Sequence, residues 1–120
     1  MDMKLLIVDD NSEMRDLIKQ ALSGIGAEFA ECEDGDEVVA AYAAHGFTSE
    51  DRVLMDLQMP RVSGLEATRR IRAAFPDAQI IIVTQFNDAH WRAAAAQAGA
   101  CGYVLKENLL ELRLTLQASP

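Results

Sequence analysis

The 120-residue sequence predicts an α/β fold, a doubly wound five-stranded parallel sheet with five helices. Three observations predict it. Short apolar runs alternate five times with longer amphipathic segments. Some runs, such as Ile80-Ile81-Ile82-Val83, are apolar throughout, as strands buried on both faces are. No linker, repeat or low-complexity stretch breaks the alternation, and the length suits one domain. Right-handed crossovers between parallel strands then place helices on both faces.

Each element has its own signal. Leu5-Leu6-Ile7-Val8 is the first strand. Met14, Leu17, Ile18, Ala21 and Leu22 follow at helical spacing, with Ser12 expected as N-cap and Gly24 as stop. Ala27 to Cys32 alternates weakly, as an edge strand does. Asp36 to Ala44 reads as a helix closed near Gly46. Val53-Leu54-Met55 is the third strand, with Arg52 at its exposed start, its stem along apolar surface. Ser63-Gly64-Leu65-Glu66 fits a capping box, and its helix carries Leu65, Thr68, Ile71 and Phe75 on one face before Pro76 ends it. Ile80 to Val83 is the fourth strand. A fourth helix spans about Asp88 to Ala98 and stops at Gly99. Tyr103-Val104-Leu105 is the fifth strand, and Asn108 with Glu111 can cap a last helix through Leu116. Five strands so connected point to the flavodoxin-like order 2-1-3-4-5.

Composition narrows the function. A formal net charge of −8 disfavours a phosphate-backbone interface and an anionic membrane surface. No apolar stretch approaches a membrane span, and the start is too short and too acidic for a signal peptide. A cytoplasmic protein with no direct nucleic-acid or membrane contact is the expectation. Cys32 and Cys101 form neither a disulfide framework nor a zinc site and read as two small buried thiols. In the order 2-1-3-4-5 they belong to opposite edges, too far apart to bridge.

In a doubly wound sheet the site lies at the carboxyl ends of the strands. Asp9 and Asp10 follow the first run, Asp56 the third, Thr84 the fourth and Lys106 the fifth. Any one of them alone reads as a loop-side polar group facing water. Together they put three carboxylates, a hydroxyl and an ammonium on one rim. Three carboxylates need a cation, and oxygen-only ligation without His or Cys suits Mg²⁺. Lysine and threonine beside such an ion suit phosphoryl chemistry. A carboxylate can accept the phosphoryl group, and Asp56 is central.

The stretches LLIVDDNSEMR, VLMDLQMPRVSGLEATRRIR, IIIVT and GACGYVLKE together resemble the receiver domains of bacterial two-component response regulators, over essentially the whole chain. The family is itself an example of the order 2-1-3-4-5, so that order also follows from the resemblance. The resemblance implies one receiver domain over residues 1–120. It implies that Asp56 is the phosphoacceptor, with Lys106 and Thr84 contacting the phosphoryl oxygens. Asp10, Asp56 and the backbone carbonyl of Gln58 would bind Mg²⁺ directly, and Asp9 mostly through water. Tyr103 matches an aromatic switch coupled to Thr84; its plainer reading is a partly buried aromatic at a strand start. Met59-Pro60 and Gly64 would shape the loop after the acceptor. The partners implied are a sensor histidine kinase or a phosphotransfer protein. A homodimer or a downstream effector would dock on the fourth helix, fifth strand and fifth helix. The domain would catalyse only its own phosphorylation and slow dephosphorylation. Similar receivers are usually joined to a helix-turn-helix DNA-binding domain, which makes transcription regulation the expected setting.

Several residues depart from the family pattern. Gln85 follows Thr84 where a small residue is usual; it either crowds the phosphoryl pocket or swings out to solvent. Gln58 sits where relatives tune dephosphorylation. Glu107 follows Lys106, either pairing with it or capping the last helix. WRAAAAQAGA favours helix but offers little large apolar surface, so a loosely docked fourth helix is expected. Trp91 either covers core or is a partner contact. His45 and His90 read as surface residues. Three alternatives stand beside the main reading. A flavodoxin-type carrier would need a phosphate-cradling first loop where Asp9-Asp10 stand. A Mg²⁺-dependent phosphatase would want an acid at the position of Gln58. A receiver-like domain that acts without phosphorylation is the third, with Gln85 its best support.

Overall fold

A computed structural model describes residues 3–118; Met1, Asp2, Ser119 and Pro120 lie outside it. Five strands alternate with five α-helices in the expected order: β1 (Met3–Val8), α1 (Ser12–Ala21), β2 (Ala27–Cys32), α2 (Val38–Ala44), β3 (Arg52–Met55), α3 (Gly64–Ala74), β4 (Ile80–Thr84), α4 (Ala89–Ala98), β5 (Gly102–Leu105) and α5 (Leu109–Ala118). All strand pairs are parallel, and the sheet order is β2-β1-β3-β4-β5.

Alternation along the strands sorts the core into two layers. Leu6, Val8, Val53, Met55, Ile80 and Ile82 pack against Val38 and Tyr42 of α2, Ala67 and Ile71 of α3, and Ala95 of α4. Leu5, Ile7, Leu54, Ile81, Val83 and Val104 pack on the other face against Ile18 of α1, Leu22, and Leu112 and Leu116 of α5. β4 is buried at every residue, which explains its unbroken apolar run.

Local chemistry moves two boundaries and leaves one cap half made. Asn11, not Ser12, caps α1: its extended backbone lets the side-chain oxygen accept from the N–H groups of Glu13 and Met14 at 2.9 and 3.2 Å. Ser12 is already helical. The segment expected as one helix from Asp36 begins as a 3₁₀ turn, Gly35–Glu37, with Asp34 as its cap. Ser63 caps α3 through the Glu66 N–H, but the Glu66 carboxylate turns outward to Arg69 and Arg70, so the capping box is half closed. Helix α4 buries only the small side chains of Ala95 and Ala98, in keeping with light docking. No helix among the described residues is long and apolar enough to cross a membrane.

The cysteines differ from expectation. Cys32 is buried and burial pushes its thiol up to about 12, whereas Cys101 is exposed. Cys101 immediately precedes the edge strand β5, where the turn after α4 reaches solvent. Both thiols are unbridged, and they stand at opposite edges of the sheet. A disulfide-exchange reagent should therefore label Cys101 within minutes in the native protein and Cys32 only after denaturant is added. Rapid labelling of both would mean that the β2 edge opens readily.

Candidate functional site

Strands β1, β3, β4 and β5 deliver polar residues to the same rim. β1 runs into Asp9 and Asp10, β3 into Asp56 and β5 into Lys106, while Thr84 is the last residue of β4. The ladder continues past the strand ends and fixes the heights of these residues. The Asp56 N–H donates to the Val8 carbonyl at 2.9 Å, and the Lys106 N–H to the Thr84 carbonyl at 2.7 Å. Arg15 of α1 reaches back to donate to the Asp9 carbonyl at 2.6 Å and is held by Glu31 of β2.

Asp9 and Asp56 are buried, and Asp10 is exposed. The Lys106 ammonium lies 2.9 Å from Asp9 Oδ2 and 3.2 Å from Asp56 Oδ1. One cation thus faces two buried anions. Burial pushes the Asp56 carboxyl up to about 6, and the Asp9 charge adds to this; Lys106 and the Leu57 amide oppose it. Burial alone would lower the Lys106 ammonium, but the close Asp9 carboxylate and the field of Asp56 leave it raised.

Asp9, Asp10 and Asp56 each present an oxygen, all within 4.8 Å of one another. Asp9 Oδ1 accepts from the Asn11 N–H, while the buried Oδ2 meets Lys106 as a charge contact without a well-aligned hydrogen bond. That under-satisfied oxygen and the oxygen-only donor set fit a hard divalent cation that keeps some of its waters.

The chain after Asp56 turns sharply. A Cβ on Gly64 would come within 1.9 Å of the Asp56 carbonyl oxygen, so only glycine fits, and the Gly64 N–H donates to the Leu57 carbonyl at 2.8 Å. The acidic cluster opens into a cleft of about 730 Å³. Gln58 and Gln85 are exposed on its rim, and Met59, Leu65, Phe86 and Trp91 line the apolar side.

Thr84 is fully buried. Its hydroxyl oxygen accepts from the Phe86 N–H at 3.2 Å, and the Phe86 carbonyl accepts from the Tyr103 hydroxyl at 2.6 Å. The structure therefore links Thr84 to Tyr103 through one residue, Phe86, that the sequence did not single out. The Tyr103 ring lies beneath the Arg92 guanidinium at 4.5 Å. Trp91 is half-buried and stacked on Phe86 at 5.5 Å, so it lines the cleft, neither sealed in the core nor standing clear. Gln85 likewise combines both readings, solvent-exposed yet on the cleft wall. Glu107 is exposed, and the last helix is approached by Asn108, whose amide contacts Glu111 at 3.3 Å. His45 and His90 are exposed, as expected.

The sequence reading also passed over Asp34. This buried carboxylate accepts from the backbone N–H groups of Gly35, Arg61 and Val62. The dipeptide Asp34-Gly35 is a turn signal, but its reach to a segment 27 residues away is not visible in it.

A family model for the response regulator receiver domain matches residues 5–117. The transcriptional regulatory protein YxjL of Bacillus subtilis is 41% identical over 81 residues, 68% of this chain and 36% of that protein. A LuxR-family two-component response regulator from Aurantimonas sp. SI85-9A1 superposes with a TM-score of 0.89 at 30% identity, covering 98% of this chain and 84% of that one. The response regulator TrrA of Thermotoga maritima, solved in complex with Mg²⁺ and BeF, gives a TM-score of 0.83 at 33% identity over 96% of each chain. The chain spans less than half the length of its curated relatives, 36% of YxjL and 44% of DegU from Brevibacillus brevis.

The raised Asp56 carboxyl has a signed consequence. Its folded form holds a proton more tightly than its unfolded form. Ionised Asp56 therefore costs stability above about pH 6, and the cost fades as pH falls toward the unfolded value. Asp56→Asn leaves Lys106 and Asp9 as a one-to-one pair. It should stabilise the metal-free protein at pH 7.5 by on the order of 2 kcal/mol, with the gain shrinking near pH 4.5. Urea unfolding at both pH values reads this; an Asp56→Asn protein no more stable at pH 7.5 would contradict the charge argument. By the same competition, Mg²⁺ affinity in calorimetry should fall steadily below pH 6.

Proposed function

The chain belongs to the response regulator receiver domain family, a family of signalling domains, and on that premise we propose that Asp56 accepts a phosphoryl group from the phosphohistidine of a histidine kinase or phosphotransfer protein. The observation that carries this reading is the buried Asp56 carboxylate facing Lys106 beside two further carboxylates. An electron carrier has no use for such a cluster, and the exposed amide of Gln58 offers no acid for sustained phosphatase turnover.

In the transfer, an Asp56 oxygen attacks phosphorus in line as the nitrogen–phosphorus bond breaks and the imidazole departs with the bonding pair. Lys106, already at the Asp56 oxygen, neutralises charge on the phosphoryl oxygens. Mg²⁺, when bound, supplies further positive charge there. Asp9, Asp10 and Asp56, with the Gln58 carbonyl, would hold it. The Thr84 oxygen accepts from Phe86 and so keeps its own hydrogen to donate to the phosphoryl group. Displacement of Thr84 then pulls on Phe86, and Tyr103, bonded to the Phe86 carbonyl, follows.

The readout is a two-state surface of α4, β5 and α5 whose balance the phosphoryl group shifts. That surface receives a second receiver or a downstream effector, in the cytoplasm, as part of transcription control. The lightly docked α4, the exposed Leu110 and Leu114 of α5, and the likeness to transcriptional regulators support this. Residues 1–120 act as the receiver, and their acidic charge disfavours direct contact with DNA.

Incubation with a small phosphodonor and Mg²⁺, followed by intact mass, should add one phosphoryl group to the wild type and none to Asp56→Ala. No gain on the wild type, or an equal gain on the variant, would refute the assignment. Gln85→Ala should clear the cleft rim and speed both phosphoryl uptake and its hydrolysis several-fold, read as the phosphorylated fraction over time. Unchanged rates in both directions would leave Gln85 a bystander.

A further inference from the structure

We propose that Asp34 is a positioning residue for the phosphoacceptor loop: its buried carboxylate fixes residues 57–63, the segment that follows Asp56. This rests on the role of Asp56 proposed above.

Asp34 is 1% exposed and lies between β2 and α2, away from the acidic cluster in sequence. Oδ1 accepts from the N–H groups of Gly35 at 2.7 Å and Val62 at 2.8 Å; Oδ2 accepts from the Arg61 N–H at 2.9 Å. Burial alone would raise this carboxyl, but the backbone donors of Val62, Arg61 and Gly35 outweigh it and hold it below the usual carboxylate range. A buried anion held by three amides is a rigid anchor, because loss of any donor leaves the charge under-satisfied. Outside it, the Arg61 guanidinium spans Asp36 and Glu37 at 2.8 and 2.9 Å and ties the same two segments together. Gly35 seals the contact. A Cβ there would fall 2.6 Å from the Val62 carbonyl oxygen and 2.9 Å from Ala67 Cβ.

Besides Asp34 and the Arg61 ion pairs, the loop is held by apolar packing of Leu57, Met59 and Val62. Leu57 is its fully buried side chain, whereas Gln58, Pro60, Arg61 and Ser63 are exposed. Its far end is set by Gly64 beneath the Asp56 carbonyl. The Gln58 carbonyl lies between Asp56, against which Gly64 packs, and Arg61-Val62, which Asp34 holds. Asp34 touches no reacting atom; it acts on the geometry of the groups that do.

The test uses the full chain and three variants: Asp34→Ala, Asp34→Asn, which keeps the Oδ1 acceptor, and Gly35→Ala, which crowds Val62 while leaving Asp34 intact. Amide exchange of residues 57–63 is measured on the metal-free proteins, and Mg²⁺ affinity by calorimetry. Asp34→Ala should weaken Mg²⁺ binding about tenfold and speed exchange in 57–63 while β4 exchange stays unchanged. Asp34→Asn, which keeps the two bonds to Oδ1 but sets an amide N–H against the Arg61 N–H, should restore part of both, and Gly35→Ala should reproduce the loss. A folded Asp34→Ala with wild-type affinity and wild-type loop exchange overturns the proposal. If Asp34→Ala does not fold, wild-type values in Gly35→Ala overturn it instead. A wild type that binds no Mg²⁺ refutes the reading of Asp56, while loop exchange in the variants still decides whether Asp34 anchors the segment.

Discussion

Two buried carboxylates meet one half-buried ammonium at the carboxyl edge of the sheet, and much of the molecule serves to hold them there. Asp9 and Asp56 would repel each other and each would lose its hydration without return. Lys106 offsets both, but only at the distances the structure gives it. Those distances depend on the register of β1, β3, β4 and β5, since each residue extends a strand. The register in turn depends on the two apolar layers, because a slip of one residue would send every core side chain to the wrong face. Packing therefore sets the electrostatics, and one positive charge short of balance leaves the cluster ready for a second cation.

The same rim shows how a polar event can reach the surface. Thr84 and Tyr103 are linked by hydrogen bonds through one intermediate. They share Phe86, one at its N–H and the other at its carbonyl. Phe86 also stacks on Trp91 of α4, whose helix is anchored by alanines. A displacement at the end of β4 meets a lightly held element, while the strands beneath remain buried and fixed. Packing is thus tight in the strands and light at α4.

Most of the fold was legible because its signals are local. A wholly apolar run of β-branched residues, as at β4, has few other outcomes. The five alternations then leave little topological choice. Where the reading slipped, competing groups stood side by side. Asn11 and Ser12 both cap helices, and the backbone of Asn11 decided between them. Asp34 took the turn before α2 and tightened its start into a 3₁₀ turn. Cys101 looked like a small core residue but falls where the chain leaves α4 for the edge of the sheet.

By itself, the sequence determined the alternation of elements, the two-layered core and which residues stand at strand ends, since all three follow from periodicity and from where apolar runs stop. It also placed five polar residues on one rim. What only the tertiary structure decided is how they meet: that Lys106 bridges Asp9 and Asp56, that Phe86 joins Thr84 to Tyr103, and that Asp34 grips a loop 27 residues onward. The physical reason is range. Hydrophobic patterning is a property of neighbouring residues, whereas charge balance and backbone hydrogen bonding to a buried carboxylate depend on which distant segments the packed sheet brings within 3 Å or so.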